Sequence, residues 1–230
     1  MSPARAPGPR KRVGILISGG GSNMAALIAA ARDPAFPAEI ALVVSNRANA
    51  GGLAKAEAAG VATTVIDHKQ FSDRESFDRA VDAALNEARV DILCMAGFMR
   101  IVSNWFAETW RDRALNIHPA LLPAYTGLHT HARAIADGVK LAGATVHFVR
   151  PELDVGPIII QAAVPVLDTD TPDALAARVL VEEHRIYPQA LAWVASGRAS
   201  VVRRDDGTEH VVLVAPPPTS PALVSPALDD

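Results

Sequence analysis

The stretch Arg12-Val-Gly-Ile-Leu-Ile-Ser-Gly-Gly-Gly-Ser-Asn23, near the amino terminus, decides the fold class of this chain. Its first part, up to Ser18, is a nearly continuous apolar run, which is typical of a strand buried on both faces of a sheet. Three glycines end that run, and the alanine-rich segment 23–32 that follows is expected to be helical. A strand, a glycine turn and a helix in this order predict the first unit of an α/β domain.

The alternation of strands and helices continues along much of the chain. The segment Ser72-Asp-Arg-Glu75 has the residue types of a capping box and predicts the start of another helix. Two later apolar segments, 144–149 and 157–166, are separated by only a short loop, so we expect them to pair antiparallel. These patterns predict an α/β fold: a doubly wound, mostly parallel sheet with an antiparallel C-terminal edge. The other predicted strands are 39–45, 63–66, 91–96 and 114–118, and the other early helix is 51–59.

A long helix and a β-hairpin are predicted towards the carboxyl end. Thr171 and Pro172 have the residue types of an N-cap and a first helical position, and Pro188 is expected to kink or divide the helix that they begin. Asp206-Gly207, between two valine-rich segments, predicts a hairpin turn. The apolar stripe predicted for the helix consists of Leu175, Val179, Ile186 and Leu191.

Length and composition predict one folded domain with two tails. Half of the 230 residues are hydrophobic, which excludes intrinsic disorder for most of the chain. We expect a flexible N-terminal tail over residues 1–11, a single domain over 12–214 and a proline-rich C-terminal tail over 215–230. The first ten residues lack the apolar segment of a signal peptide, and no apolar run is long enough for a membrane helix. We therefore expect no association with a membrane.

Charge and cysteine content narrow the class of function. The chain has 22 lysines and arginines against 25 acidic residues, a net charge of −3, and so lacks the basic excess of a nucleic-acid-binding protein. The single cysteine, Cys94, lies in an apolar strand and is expected to be a buried thiol in a reducing compartment. We expect a cytoplasmic protein that acts on small molecules, and its state as monomer or homodimer stays open.

The glycine turn after the first strand has the properties of an anion site. The backbone amides of Gly21, Ser22 and Asn23 stand at the start of a helix, where the helix dipole favours a phosphate group. The turn lacks a dinucleotide fingerprint, because Met24 occupies the third glycine position, and it lacks the Lys-Ser/Thr of a nucleotide P-loop. The alternative is a turn that is merely tight.

Four further polar residues are candidates for chemistry. Asn116 and His118 share one face of a strand that Pro119 ends, where an amide and an imidazole suit a developing oxyanion. A hydrogen-bonded structural histidine is the alternative, and Asp154, just before Gly-Pro, is also ordinary turn chemistry. Glu183 lies on or near the apolar helix stripe, so its carboxylate needs either a ligand contact or a place at the edge of the surface.

The density of histidines raises the question of a metal. His118, His129, His131 and His147 fall within one stretch, and imidazole is the commonest metal ligand. The segment lacks a His-Glu-x-x-His motif, and His129-x-His131 alone is a weak signal. We therefore predict chemistry without a metal.

The motifs of this chain, in their order, closely resemble those of the phosphoribosylglycinamide formyltransferase family, the folate-dependent enzymes of purine biosynthesis. The resemblance covers about residues 12–196. The motifs that carry it are Ile17-Ser-Gly-Gly-Gly-Ser-Asn23, Ala96-Gly-Phe-Met-Arg-Ile101, Leu115-Asn-Ile-His-Pro119, Leu121-Leu-Pro123, Gly127-Leu-His-Thr-His131, Val146-His-Phe-Val149, Glu152-Leu-Asp154 with Gly156-Pro157, and Glu183-His184.

This resemblance implies a Rossmann-like formyltransferase domain and a set of roles. It implies that Asn116, His118 and Asp154 are the catalytic trio, and that Glu183 holds the ribose hydroxyls of the ribonucleotide. The glycine turn at Gly21, Ser22 and Asn23 would bind the phosphate of that substrate. The co-substrate 10-formyltetrahydrofolate would be received by Arg74, Met99, Arg100, Ile101, Val102 and Asn116, in a cleft bordered by residues 150–154.

The reaction implied is direct transfer of a formyl group to the amine of 5-phosphoribosylglycinamide, without a metal. Asn116 and a protonated His118 would stabilise the tetrahedral oxygen, and Asp154 would favour the charged imidazole. Two relatives share this trio: a methionyl-tRNA formyltransferase would add a C-terminal RNA-binding module, and a formyltetrahydrofolate hydrolase an N-terminal domain. A phosphate-sugar binding protein would need only the glycine turn, and a nicotinamide oxidoreductase does not fit the glycine pattern.

Overall fold

The computed structural model describes residues 9–216, 218, 223 and 225–226, and within them a seven-stranded sheet carries the fold. Residues 1–8 of the predicted N-terminal tail and most of the proline-rich tail over 215–230 lie outside the described residues. Lys11, which was assigned to the N-terminal tail, instead begins the first strand, because its amide donates to the carbonyl of Pro37 at 2.9 Å. The strands are β1 (Lys11–Ile17), β2 (Ala38–Ser45), β3 (Thr63–Val65), β4 (Ile92–Met95), β5 (Ala114–His118), β6 (Leu141–Phe148) and β7 (Ile158–Pro165), with β8 (Ala199–Arg203) and β9 (Glu209–Leu213) in a separate hairpin. The helices are α1 (Ser22–Ala31), α2 (Gly51–Ala58), α3 (Arg74–Glu87), α4 (Asn104–Thr109), α5 (Thr130–Ala136) and α6 (Pro172–Ala195).

The strand order β3-β2-β1-β4-β5-β6-β7 confirms the predicted doubly wound sheet. The pairs from β3 to β5 are all parallel, whereas β6 is antiparallel to both β5 and β7. The predicted antiparallel edge is therefore correct. Strand order reverses between β1 and β4, and this switch point is where open α/β sheets hold their ligands.

Two apolar layers cover the sheet, one on each face. Alternate residues of β4 divide between them, with Cys94 facing the layer of α1, α2, α5 and α6, and Met95 facing the layer of α3 and α4. The second layer packs with β1, β2 and β4 but takes only Ala114 from β5. Asn116 and His118 follow Ala114 on that same face, beyond the apolar contact. Polar side chains thus occupy a part of the sheet that α3 and α4 leave to loops.

The long helix differs from its prediction at Pro188. Helix α6 runs unbroken from Pro172 to Ala195 with Pro188 inside it, so of the two outcomes expected at this proline, a kink or a division, the division is wrong. The buried side chains Tyr187 and Leu191 flank the proline, and Tyr187 donates its hydroxyl to the carbonyls of Met95 and Leu115 at 3.1 Å each. Packing on both sides of Pro188 outweighs the lost backbone hydrogen bond. The predicted stripe of Leu175, Val179, Ile186 and Leu191 is buried as expected.

The start of α3 also differs from its prediction. The N-cap is Asp73, whose carboxylate accepts from the amide of Ser76 at 2.8 Å, so the capping box assigned to Ser72 and Glu75 is wrong by one residue. Serine and aspartate are both favourable N-caps, and Asp73 is the N-cap here because its carboxylate reaches the amide of Ser76, the third residue of the helix. Helices α4 and α5 were not predicted, because six or seven residues are too few for a clear apolar period.

The packing around two strand glycines predicts different costs for replacing them. A Cβ on Gly143 of β6 would overlap the backbone carbonyl of Ala162 in β7, whereas one on Gly14 of β1 would meet the movable Cδ2 of Leu85 at 2.5 Å. We expect Gly143→Ala to lower the free energy of unfolding by about 1–3 kcal/mol, and Gly14→Ala by clearly less. Urea denaturation of both variants measures this, and equal losses would contradict the assignment of the obstacle to the β6–β7 backbone.

Candidate functional site

The candidate site lies at the carboxyl ends of β1, β4 and β5, beside the switch point. The hydroxyl of Ser18, at the end of β1, donates to Oδ1 of Asn46 at 2.7 Å and accepts from the amide of Met99 at 2.9 Å. The backbone amide of Ser18 donates to the carbonyl of Gly97 at 3.1 Å. One buried serine therefore ties together the loops that follow β1, β2 and β4.

The glycine turn has the geometry of an anion cradle. Gly21 precedes α1 with a φ of 66°, a left-handed conformation that favours glycine. The carbonyls of Gly19 and Gly20 accept from the amide of Gly52 at 2.9 Å and from Nζ of Lys55 at 2.7 Å, so both are turned towards α2. Because the N–H of a trans peptide points opposite to its carbonyl, the amides of Gly20 and Gly21 point away from α2.

Asn23 and Glu183, from opposite ends of the chain, meet beside this turn. Nδ2 of Asn23 donates to Oε2 of Glu183 at 2.6 Å, and both residues are buried. Burial raises the pKa of Glu183, and the hydrogen bond from Asn23 opposes that rise. The sequence left two possibilities for the carboxylate of Glu183, a ligand contact or a place at the edge of the surface. The structure excludes the surface edge, because the carboxylate is buried against the amino-terminal end of α1.

Asn116 is oriented by a histidine on the neighbouring strand. The registers of β5 and β6 place Asn116 opposite His147, and Nδ2 of Asn116 lies 3.2 Å from Nε2 of His147. Nδ1 of His147 lies 2.9 Å from the carbonyl of Phe148, so the ring donates there and accepts from Asn116 when it is neutral. Burial lowers the pKa of His147, which favours this neutral form.

His118 and Asp154 form a buried pair on the same face. Nδ1 of His118 lies 3.4 Å from Oδ2 of Asp154, and both side chains are about 95% buried, with exposures of 6% and 5%. Nε2 of His118 lies 2.8 Å from the carbonyl of Tyr125, so each ring nitrogen faces an oxygen. Two N–H groups satisfy this arrangement, and it therefore suits an imidazolium. Asp154 also accepts from the amide of Gly127 at 2.9 Å.

A second cleft opens between the loop after β4 and the loop after β6. Arg100 stacks its guanidinium over Phe77 at 5.1 Å, and its Nε is buried without a hydrogen-bond partner among the described residues. Buried Asp78 accepts from the amide of Ser103 at 2.5 Å and holds the loop in place. Burial raises the pKa of Asp78, and the charges of Arg100 and Arg74 act against that rise. The cleft is lined by Met95, Arg100, Ile101, Val102, Asn116, His147 and residues 149–154.

The structure places most of the candidate residues around these two openings. Met99 and Ile101 are exposed large apolar side chains, but Met99 lines the glycine-turn pocket and not the second cleft. Val102 is buried and contributes only to the cleft wall. Arg74, at the exposed first turn of α3, lies outside the cleft wall. Asn116 and Asp154 both line the second cleft, whereas His118 contacts Asp154 but does not line the cleft itself.

Sequence reasoning missed Arg47, Lys55 and the role of His147. Arg47 and Lys55 line the pocket of the glycine turn. Arg47 follows the end of β2, so strand order could have found it, whereas Lys55 reads as an ordinary surface lysine on a helix. His147 was weighed as a metal ligand. Within the described residues, however, no group of three or more His, Cys, Asp or Glu side chains is arranged to hold a metal ion.

In the part of the chain that the structure describes, no helix is both long and apolar enough to span a membrane. Cys94 is completely buried, as expected, and burial raises the pKa of its thiol to about 12.

The chain is similar to known proteins over most of its length. It is 45% identical over 184 residues to the phosphoribosylglycinamide formyltransferase of Escherichia coli, covering 80% of this chain and 87% of that protein. It is 51% identical over 190 residues to the trifunctional purine biosynthetic protein adenosine-3 of Gallus gallus. That match covers 83% of this chain but only 19% of the relative, so the chain spans about a fifth of its length.

Crystal structures of similar chains share the fold. The glycinamide ribonucleotide transformylase 1 of Symbiobacterium toebii superimposes with a TM-score of 0.85 at 44% identity, covering 89% of this chain and 94% of that one. The phosphoribosylglycinamide formyltransferase of Brucella melitensis has a TM-score of 0.78 at 59% identity, covering 81% and 96%. The family model for formyl transferases matches residues 11–191. The chain belongs to the formyl transferase family, as the order of its motifs indicated.

Proposed function

We propose that this chain transfers the formyl group of 10-formyltetrahydrofolate to the amine of 5-phosphoribosylglycinamide, in purine biosynthesis. The observation that carries the proposal is the convergence of Asn116, His118 and Asp154 beside a cleft at the switch point of the sheet. The names of the similar enzymes from E. coli and B. melitensis support this choice of substrate. The buried lone thiol of Cys94 suits a reducing compartment, and we place the reaction in the cytoplasm.

The two substrates would enter from the two openings. The phosphate of the ribonucleotide would lie on the turn of Gly21, Ser22 and Asn23, at the positive end of α1 and near Arg47 and Lys55. Glu183, beside Asn23, would accept from the ribose hydroxyls. The folate would lie in the second cleft, with Ile101 and Val102 against its apolar rings, and Met99 would approach it from the neighbouring pocket of the glycine turn. Arg100 and Arg74 would lie towards its negative end.

The reaction would proceed through a tetrahedral intermediate. The amine nitrogen forms a bond to the formyl carbon, the bond from that carbon to N10 of the folate breaks, and the proton lost by the amine balances the proton gained by N10. Asn116 uses one N–H on His147 and keeps the other for the intermediate's oxygen. The charged form of His118 would turn its Nε2–H from the carbonyl of Tyr125 to the intermediate, where it would stabilise that oxygen and supply the proton to N10, while Asp154 would balance the imidazolium.

Mixing the purified protein with 10-formyltetrahydrofolate, with and without the ribonucleotide, tests this proposal. Folate absorbance should change only when 5-phosphoribosylglycinamide is present, because the amine is the acceptor. Turnover in its absence would identify a hydrolase instead. An absence of turnover in both mixtures, with a folded protein, would refute the proposal.

The glycine turn predicts an effect on one substrate only. A Cβ on Gly21 would lie 3.0 Å from Cα of Gly52, and the φ of 66° disfavours any side chain. Gly21→Ala should raise the KM of the ribonucleotide about tenfold or more and leave the KM of the folate unchanged, because only the phosphate cradle is distorted. Gly51→Ala, which adds a Cβ in open space at the first residue of α2, is the control. Equal changes in both KM values would contradict the assignment.

The His118–Asp154 pair predicts non-additive losses. His118→Asn should lower kcat by about 10²–10⁴-fold, the range of a positioned acid–base group. Asp154→Asn should also lower kcat, because the amide cannot balance an imidazolium. The double variant should lose much less than the product of the two single losses, since the residues act as a unit. Steady-state kinetics of all four proteins measure this, and fully multiplicative losses would show that the two residues act separately.

A further inference from the structure

The loop that carries Asp154 is pinned at its stem but strained at its tip. Its stem is held by hydrogen bonds from the amide of Val149 to Ala114 at 2.9 Å and from the amide of Phe148 to Pro157 at 3.0 Å. Asp154 itself has a φ of 58°, a left-handed conformation that is unfavourable for a residue with a side chain. Further contacts are therefore needed to hold the carboxylate in its position against His118.

The amide of Gly127 holds the carboxylate of Asp154 directly, and Arg150 supports the backbone of the loop at its stem. The arginine side chain is only 7% exposed, and its Nη1 donates to the carbonyl of Val149 at 2.9 Å. Its Nη2 donates to Asp112 at 2.6 Å, and its Nε donates to Glu209 at 2.7 Å. A Cβ on Gly156 would lie 3.3 Å from Cγ of Arg150, so the returning arm of the loop packs on the arginine stem. The position of Arg150 thus determines the path of the loop.

Glu209, the first residue of β9, is the better protected of the two acidic partners of Arg150. Its carboxylate is 15% exposed, against 49% for Asp112. It also accepts from Arg111 and Arg203 at 2.8 Å each. Burial opposes ionisation of Glu209, but hydrogen bonds from Arg203, Arg111 and Arg150 outweigh it and hold its pKa at about 2. The carboxylate is therefore charged throughout the neutral pH range, and the guanidinium of Arg150 is balanced.

We propose that Glu209 is a positioning residue for the reaction, which acts through Arg150 to hold Asp154 against His118. This inference rests on the catalytic role proposed above for Asp154. Without Glu209, the nearly buried guanidinium of Arg150 keeps the exposed carboxylate of Asp112 as its one acidic partner among the described residues. A buried charge that is compensated so weakly moves towards solvent. The loop then loses its support, and Asp154 relaxes from its strained conformation.

A cycle of four proteins tests the proposal: the wild type, Glu209→Ala, Asp154→Asn and the double variant. We expect Glu209→Ala to lower kcat by about 10- to 100-fold in the wild type, because a small displacement of a catalytic group is costly. In the Asp154→Asn background the same change should lower kcat by no more than about twofold, since the group that it positions is already lost. The KM of the ribonucleotide should not change, because the glycine turn lies elsewhere.

Two controls separate positioning from general stability. Arg203→Ala removes an arginine that binds the same carboxylate but is 62% exposed and belongs to the hairpin, so kcat should stay at the wild-type value. Asp170→Ala breaks the Arg178–Asp170 ion pair at the start of α6, away from the cleft, and should lower the Tm without lowering kcat. All kinetics are measured well below the Tm of each variant.

The outcomes distinguish this inference from the proposed mechanism. Equal losses on Glu209→Ala in both backgrounds would overturn the inference and leave the role of Asp154 intact. Wild-type kcat in Asp154→Asn would reject the catalytic role of Asp154 and the inference with it. If activity is too low to compare, amide hydrogen exchange in residues 149–157 should rise in Glu209→Ala and not in Arg203→Ala, and no rise would overturn the inference. If Glu209→Ala does not fold, Glu209→Gln, which keeps one oxygen acceptor, should show a smaller loss with the same dependence on Asp154.

Discussion

Parallel pairing of β1 with both β2 and β4 is the constraint on which the rest of the structure depends. It brings three strand ends to one edge of the sheet, where Ser18 joins them through Asn46, Gly97 and Met99. The glycine turn starts on one side of this serine, and the loop of the second cleft starts on the other. The two substrates of the proposed reaction would therefore meet across a rigid junction, which would remove much of the entropic cost of bringing them together.

Buried charge at the reactive end is arranged in alternating order. Glu209 balances Arg150, the loop of Arg150 carries Asp154, and Asp154 faces His118. Buried charges are unstable alone, so Arg150 and Glu209 compensate one another, as Asp154 and the charged His118 would in the proposed mechanism. The glycine turn, by contrast, offers backbone amides and a helix dipole to its ligand, with Arg47 and Lys55 at its rim. In the proposed function, phosphate binding would thus depend on the shape of the backbone, and the reaction on side-chain electrostatics.

Local patterns predicted the parts of the site that lie within one element. Period two in β5 placed Asn116 and His118 on one face, and the glycines placed a turn at the start of α1. The pairing of Asp154 with His118 was implied only by resemblance. The contact of Asn23 with Glu183 was not predicted at all, because the two are 160 residues apart and no local pattern joins them. The partnership of Asn116 with His147 depends on strand register, and that of Arg150 with Glu209 on how the hairpin docks. The division of the helix expected at Pro188 is wrong for the same reason, since burial of Tyr187 and Leu191 outweighs a local helix breaker.

The face of β5 and β6 that α3 and α4 leave to loops explains why the proposed catalysis would depend on loops in this fold. A helix over that face would close the cleft beside Asn116, and the buried His118 and His147 behind the strand ends could then reach no substrate. Loops admit the substrate, but they are the least stable parts of a domain and hold a side chain poorly. The chain meets both demands by anchoring the loop of Asp154 to the hairpin that follows α6. In the proposed mechanism, residues beyond the seven-stranded sheet would thereby help to hold the reacting groups.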